Sequence, residues 1–451
     1  MSDQQQAQAN PLLQAWQTPC ETPPFDRIKP DHFLPAFEQA FADHAAEIDA
    51  ITHDPATPDF ANTITALERS GKLLTRVSAV FYDLVSAHSN PEILAIDKEI
   101  SPRMARHWSP IMMNGVLFGR IAMLHENRKT LGLTSEQLRL LERTYTNFHR
   151  AGAGLSEEAK TRMAEINERL AELGTTFSHH LLADEQDWVL ELSEDDLAGL
   201  PNSFVAAAKA AAEERKLPGK AVVTLSRSYV EPFLKSADRR DLREKVYRAF
   251  VARGDNGNAN DNNETIVEVL ALREESAKLL GYPTYAAYRL DDSMAKTPEN
   301  VRGLLERVWK PARAKALADR DELQALITEE GGNFQLAPWD WRYYAEKLRL
   351  RRANFDDAAI KPYLALDNMI EAAFDCATRL FGVSFAERKD IPVWHPDVRV
   401  WEVSDRDGRH KALFYGDYFA RPSKRSGAWM TSLRDQQKLD GEIAPDRKSV
   451  V

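Results

Sequence analysis

From residue 30 to about residue 216, apolar side chains recur at intervals of three and four with almost no strand alternation between them. Phe33, Phe37 and Phe41 lie four apart, and Ile64, Leu67, Gly71, Leu74, Val77 and Phe81 lie three or four apart. On a helix each series becomes one apolar stripe, so this half of the chain must fold by packing helix against helix. The boundary signals agree. Pro35 falls in the first turn after Asp31, where proline is tolerated. Asp59 and Thr63 can open a second helix, and Ser89-Asn90-Pro91-Glu92 reads as a stop followed by a new start. Over 156–182, Met163, Ile166, Leu170, Leu173 and Phe177 share a face, while Ser156 caps the start and Glu157-Glu158 complement the positive helix end.

The texture changes over 218–233. Ala221-Val222-Val223-Thr224-Leu225 reads as a short strand, and Tyr229-Val230-Glu231-Pro232 is expected to break it. Helices are expected again over 239–253, 264–280, 298–328, 339–352 and 366–381, with the polar run 254–263 as a loop. Sheet character becomes clear only after Ile391. Val398, Val400 and Glu402-Val403 lead into the turn Asp405-Arg406-Asp407-Gly408, and Ala412-Leu413-Phe414-Tyr415 returns as a hairpin. Gly427-Ala428-Trp429-Met430 is expected to supply a third strand. Residues 1–24, rich in Gln, Ala and Pro, are expected to form a loose leader.

Composition excludes several functions. A chain of 451 residues, 43% hydrophobic, is long enough for two domains with real cores. A net charge of −10 argues against nucleic acid or an anionic membrane as partner, since both demand clustered cations. No apolar run is long enough to span a bilayer and the N-terminus lacks signal-peptide character, so a cytoplasmic location is expected. Cys20 and Cys376 lie far apart and read as two reduced thiols.

The common catalytic signatures are missing. There is no GxGxxG after a strand, no GxxxxGK[ST] and no GxSxG. Zinc is most simply bound by two histidines at i, i+4 on a helix, yet none of the 11 histidines is so placed. His179 and His180 are adjacent and splay about 100° apart on a helix. Glu274-Glu275 and Asp291-Asp292 read as solvated pairs, and the aromatic cluster Trp339, Trp341, Tyr343 and Tyr344 reads as core before peptide groove.

Four stretches resemble the thimet-oligopeptidase type of zinc metallopeptidases: PDFANTITALERSGKLLTRVSAVF (58–81), LLGYPTYAAYRLDDSMAKTPENV (279–301), PWDWRYYAEKLR (338–349) and IPVWHPDVRVWEVSDRDGRHKALFYGDYFAR with SGAWM (391–430). Within that family the text is most similar to the bacterial peptidyl-dipeptidase type, with the oligopeptidase A type second. The resemblance implies a mainly α, elongated two-domain peptidase fold with a deep channel and a small β-sheet. It also implies one zinc held by a His-Glu-x-x-His helix, short peptides as substrates, release of C-terminal dipeptides, and a monomer. Phe414, Tyr415, Gly427, Ala428 and Trp429 would belong to the channel wall, where a peptide can pair as an added strand.

This sequence contains no His-Glu-x-x-His, so no metal ligand or catalytic residue carries over. The resemblance places residues 25–228 in an N-terminal helical domain and 229–445 in the first part of the catalytic domain. It also raises the expectation that the C-terminal catalytic part is missing. The ending Asp446-Arg447-Lys448-Ser449-Val450-Val451 matches one reading of a sequencing adapter, GAT CGG AAG AGC GTC GTG TAG. Residues 446–451 are accordingly expected to be foreign to the gene, a matter that resequencing decides. The chain as written is expected to be inactive and to expose apolar surface. The alternative reading is a metal-free helical peptide-binding protein.

Overall fold

The computed structural model describes residues 10–353, 357–425, 427–439 and 446–450. The chain is mainly helical and divides into two compact units. The first comprises Met1–Thr176, Val269–Tyr282 and Ala373–Val451; the second comprises Phe177–Glu268 and Pro283–Ala372. Residue 228, where the sequence suggests a domain boundary, falls inside the second unit.

The first unit begins with helices α1 (Phe33–Thr52), α2 (Lys72–Ala87), α3 (Pro91–Met112), α4 (Gly115–Glu126), α5 (Ser135–Ala151) and the first part of α6 (Glu157–Asp187). The start of α3 is where the sequence signals put it, whereas the stripe expected as one helix from Asp59 or Thr63 is split at Gly71, with α2 starting only at Lys72. Asn90 accepts from the Ile93 amide at 2.9 Å, and Asp59 accepts from Asn62 at 2.6 Å ahead of the short helical run 60–69. Such caps satisfy amides that have no partner within the helix. The two apolar stripes meet at Phe81 on α2, whose ring stands edge-on to Phe33 and Phe37 on α1 with centroids 5.0 and 5.4 Å away.

Residues 10–24 depart from expectation. They are no loose leader: Leu12 is fully buried in the same core, and Arg76 Nη2 donates to the Leu12 carbonyl at 2.7 Å. The polar composition of this stretch hides a few apolar anchors that only a ready surface can bury.

A five-stranded sheet completes the unit, with β3 (Ser384–Arg388), β4 (Arg399–Ser404), β5 (His410–Gly416), β6 (Met430–Arg434) and β7 (Asp446–Val450) in the order β3-β4-β5-β7-β6. The β4–β5 hairpin is the one legible in sequence, with Trp401 opposite Phe414. Strand β7 runs parallel to β5 and antiparallel to β6.

The second unit contains a two-stranded sheet of β1 (Val189–Leu192) and β2 (Ala221–Thr224), covered by α7 (Asn202–Glu214), α8 (Arg227–Ser236) and α9 (Arg240–Val251). The strand ends at Thr224, ahead of the expected breaker Tyr229-Val230-Glu231-Pro232, which lies within helix α8. After α10 (Asn263–Leu279) and the short α11 (Tyr285–Asp291) come α12 (Pro298–Glu329), α13 (Pro338–Ala353) and α14 (Leu366–Phe381). Helix α10 begins in this unit and ends in the first, and α14 likewise crosses from one to the other. The cluster Trp339 to Tyr344 serves the core, with Tyr344 buried against Leu323, Leu326 and Ile327 of α12.

The N-terminal half of α12 is different. Leu304, Leu305, Val308 and Trp309 form an i, i+4 apolar stripe that is 53–65% exposed. The folded chain is therefore expected to enhance the fluorescence of a hydrophobic dye, and Leu305→Glu with Trp309→Glu is expected to remove most of that signal while helicity stays unchanged. Equal dye signal from the double variant would show that the stripe is not the binding surface.

Candidate peptide-binding wall

Strand β5 sorts the expected wall residues by its alternation. Leu413 and Tyr415 point into the core, and Tyr415 is 0% exposed with its ring stacked on Trp394 at 5.8 Å. Tyr415 is therefore a core residue and cannot line a wall, a correction to its expected role. Phe414, on the opposite face, meets Trp401 at 5.8 Å and Phe374 at 6.0 Å, while Phe374 stacks on Phe385 at 3.9 Å. These rings form a second aromatic layer on the sheet.

The segment 417–425 is strapped to the end of α2. Arg421 forks onto Asp417 with contacts of 2.7 and 2.6 Å and also donates to the Ala87 carbonyl. Lys424 Nζ lies 3.3 Å from the same carboxylate, and Trp394 Nε1 donates to it at 3.2 Å. Burial alone would raise Asp417, but these cations hold it below the usual carboxylate range. The Ser89 amide donates to the Ser423 carbonyl at 2.8 Å, and the Arg425 amide to Ser86 at 2.9 Å.

Past the strap, Gly427 adopts φ +113°, a conformation that favours glycine, and no atom lies within 4 Å of the position a Cβ would take. Gly427 and Ala428 are exposed; Trp429 is half-buried against the core with Lys424 6.0 Å above its ring. The third strand begins only at Met430, so Gly427-Ala428-Trp429 lead into β6 and do not form it. Strand β6 lies at the sheet's edge, and an edge strand presents main-chain donors and acceptors to a partner.

A family profile, Peptidase family M3, matches residues 233–450. The dipeptidyl carboxypeptidases of Salmonella typhimurium and Escherichia coli are each 40% identical over 433 residues, covering 96% of this chain and 64% of theirs. Oligopeptidase A of Escherichia coli is 33% identical over 440 residues, with the same two coverages. Over these residues the chain is similar to the M3 peptidases. It spans just under two thirds of the length of these curated relatives.

The M3 resemblance implies zinc, and the donor set tests that. Two histidine pairs do form from positions scattered in sequence: His44 Nδ1 lies 2.9 Å from His107 Nε2, and the rings of His88 and His395 stand 5.5 Å apart. Burial lowers both His44 and His107, the latter to about 4, so that pair is a neutral hydrogen bond. Among the described residues no group of three or more His, Cys, Asp or Glu side chains could hold a metal. These residues do not fit a catalytic zinc, and no chemical step is derived through one.

Sequence reading missed Asp83 and Asp417, two buried carboxylates. Asp83 carried a usable signal, since a lone acid inside Val80-Phe81-Tyr82-Asp83-Leu84-Val85 is out of place in a buried stripe.

Proposed function

We propose that this chain supplies the peptide-binding framework of a zinc-dependent M3 peptidase that acts on short peptides and releases dipeptides from a free C-terminus. The observation that carries the reading is the higher identity to dipeptidyl carboxypeptidases, 40%, than to oligopeptidase A, 33%, at equal coverage. The open edge of β6, approached through Gly427 and Ala428, supports a binding mode in which an extended peptide adds a strand. Main-chain pairing would hold the peptide in register and leave alternate side chains to set preference. Among the described residues no helix is long and apolar enough to cross a membrane. The proposal includes a cytoplasmic, monomeric protein.

The 451-residue chain, supplied with zinc and a short peptide, is expected to release no dipeptide above a protein-free blank. The same peptide is expected to slow hydrogen exchange at the amides of Met430–Arg434. Dipeptide release would overturn the absence of a metal site, and unchanged exchange would overturn the wall. A second reading is a metal-free peptide-binding protein. That reading predicts peptide binding that no longer form of the protein converts into hydrolysis.

A further inference from the structure

The side chain of Asp83 is fully buried near the C-terminal end of α2, and neither carboxylate oxygen has a hydrogen-bond partner. The neighbouring Arg421 Nε is also buried without a partner. A buried carboxylate with no donors is tolerable when protonated and costly when charged.

The charges around it come from several elements. The strap contributes Asp417, Arg421 and Lys424; β5 contributes Tyr415; His88 follows α2, with His395 against it. Helix α1 meets this part of α2 through the rings of Phe33 and Phe37, which pack on Phe81. At the adjoining position of α2, Tyr82 feels Asp97 of α3, which accepts from Ser101. Asp417 already engages both terminal nitrogens of Arg421, Lys424 and Trp394, and the remaining Arg421 Nε makes no hydrogen bond to Asp83.

We propose that Asp83 is a proton-controlled latch: protonated, it lets segment 417–425 stay strapped to residues 86–89, and its ionisation releases the strap and the approach to β6. Opening admits water to Asp83, and one proton leaves the carboxyl for solvent.

Burial, then Asp417, raise the Asp83 carboxyl to about 7 against the opposing pull of Arg421. An exposed aspartate titrates near about 4. The strapped state thus holds a proton that the open state gives up. Strap stability is complete below about pH 4, declines as pH rises and reaches its floor above about pH 7. The histidine beside it has the opposite sign: burial lowers His88, so its titration weakens the closed state as pH falls.

Hydrogen exchange at the Ser89 and Arg425 amides, corrected for intrinsic rates, reads the strap directly. In the wild-type chain protection is expected to fall about tenfold per pH unit between pH 5 and pH 7 and then level off. In Asp83→Asn, which keeps the shape and cannot ionise, the fall with rising pH should disappear, leaving only the opposite, acid-side dependence of His88. A flat wild-type profile, a fall towards acid, or an unchanged slope in Asp83→Asn would each overturn the latch. Should Asp83→Asn not fold, His88→Gln decides: a fall with rising pH that is retained or steepened supports Asp83, and loss of that fall overturns the latch.

Discussion

Asp340→Ala is expected to lower the stability of the second unit by about 3–5 kcal/mol, the cost of leaving a buried charge without its partner. Asp340 is 0% exposed on α13 and receives Arg243 Nη2 at 3.0 Å and Arg240 Nη2 at 2.9 Å, both from α9. It also accepts from the Ala337 amide at 3.1 Å, so one carboxylate closes the start of α13 and ties it to α9. Arg243 is equally enclosed, with Nη1 donating to the Ala237 carbonyl at 2.7 Å. Truncating the aspartate strands this guanidinium in the core. Because the chain has two units, one global transition is the wrong readout. Hydrogen exchange of α9 and α13 amides across a urea series isolates the unit concerned. Removing both charges, as Arg243→Met with Asp340→Leu, should cost less than Asp340→Ala alone. A loss below about 1 kcal/mol in the single variant would show that the ion pair does not hold these helices.

Phe81→Ala is expected to cost the first unit a similar amount, about 3–5 kcal/mol, by opening a cavity where α1 and α2 meet. Phe81 is fully buried and touches Phe33, Phe37 and Tyr82, with ring centroids 5.0, 5.4 and 5.2 Å away. Its loss removes an edge-on partner from two rings at once as well as its own buried area. Exchange protection of α1 amides at increasing urea measures the effect. Protection lost only at the helix ends would mean that the site collapses to fill the void.

The helices were legible because their cause is local. A stripe such as Phe33, Phe37 and Phe41 records which face is buried, and Asn90 and Asp59 mark starts by chemistry that acts within three residues. The β4–β5 hairpin was legible for the same reason, through Asp405-Arg406-Asp407-Gly408 and the flanking apolar residues. Residues 10–24 were misread because their burial depends on Arg76 and a ready-made core, neither of which is visible in the leader itself. Tyr415 was misplaced by a simpler route. Alternation predicts that Phe414 and Tyr415 face opposite ways, but which of them faces the core depends on where α2 lies.

The strap lay furthest beyond sequence reading, since its hydrogen bonds join residues such as Ser89 and Ser423 that are 334 apart. No periodicity links such positions, and an acid like Asp417 looks ordinary until folding removes its water. The amino-acid sequence alone determined where helices start, which faces are apolar, where the hairpin turns, and the text resemblance that led to family M3. Only the tertiary structure decided which of two adjacent aromatics is core, which scattered histidines meet, and that Asp83 is enclosed without a donor. Periodicity and capping act over a few residues along the chain, whereas desolvation of a charge depends on which distant surfaces close over it.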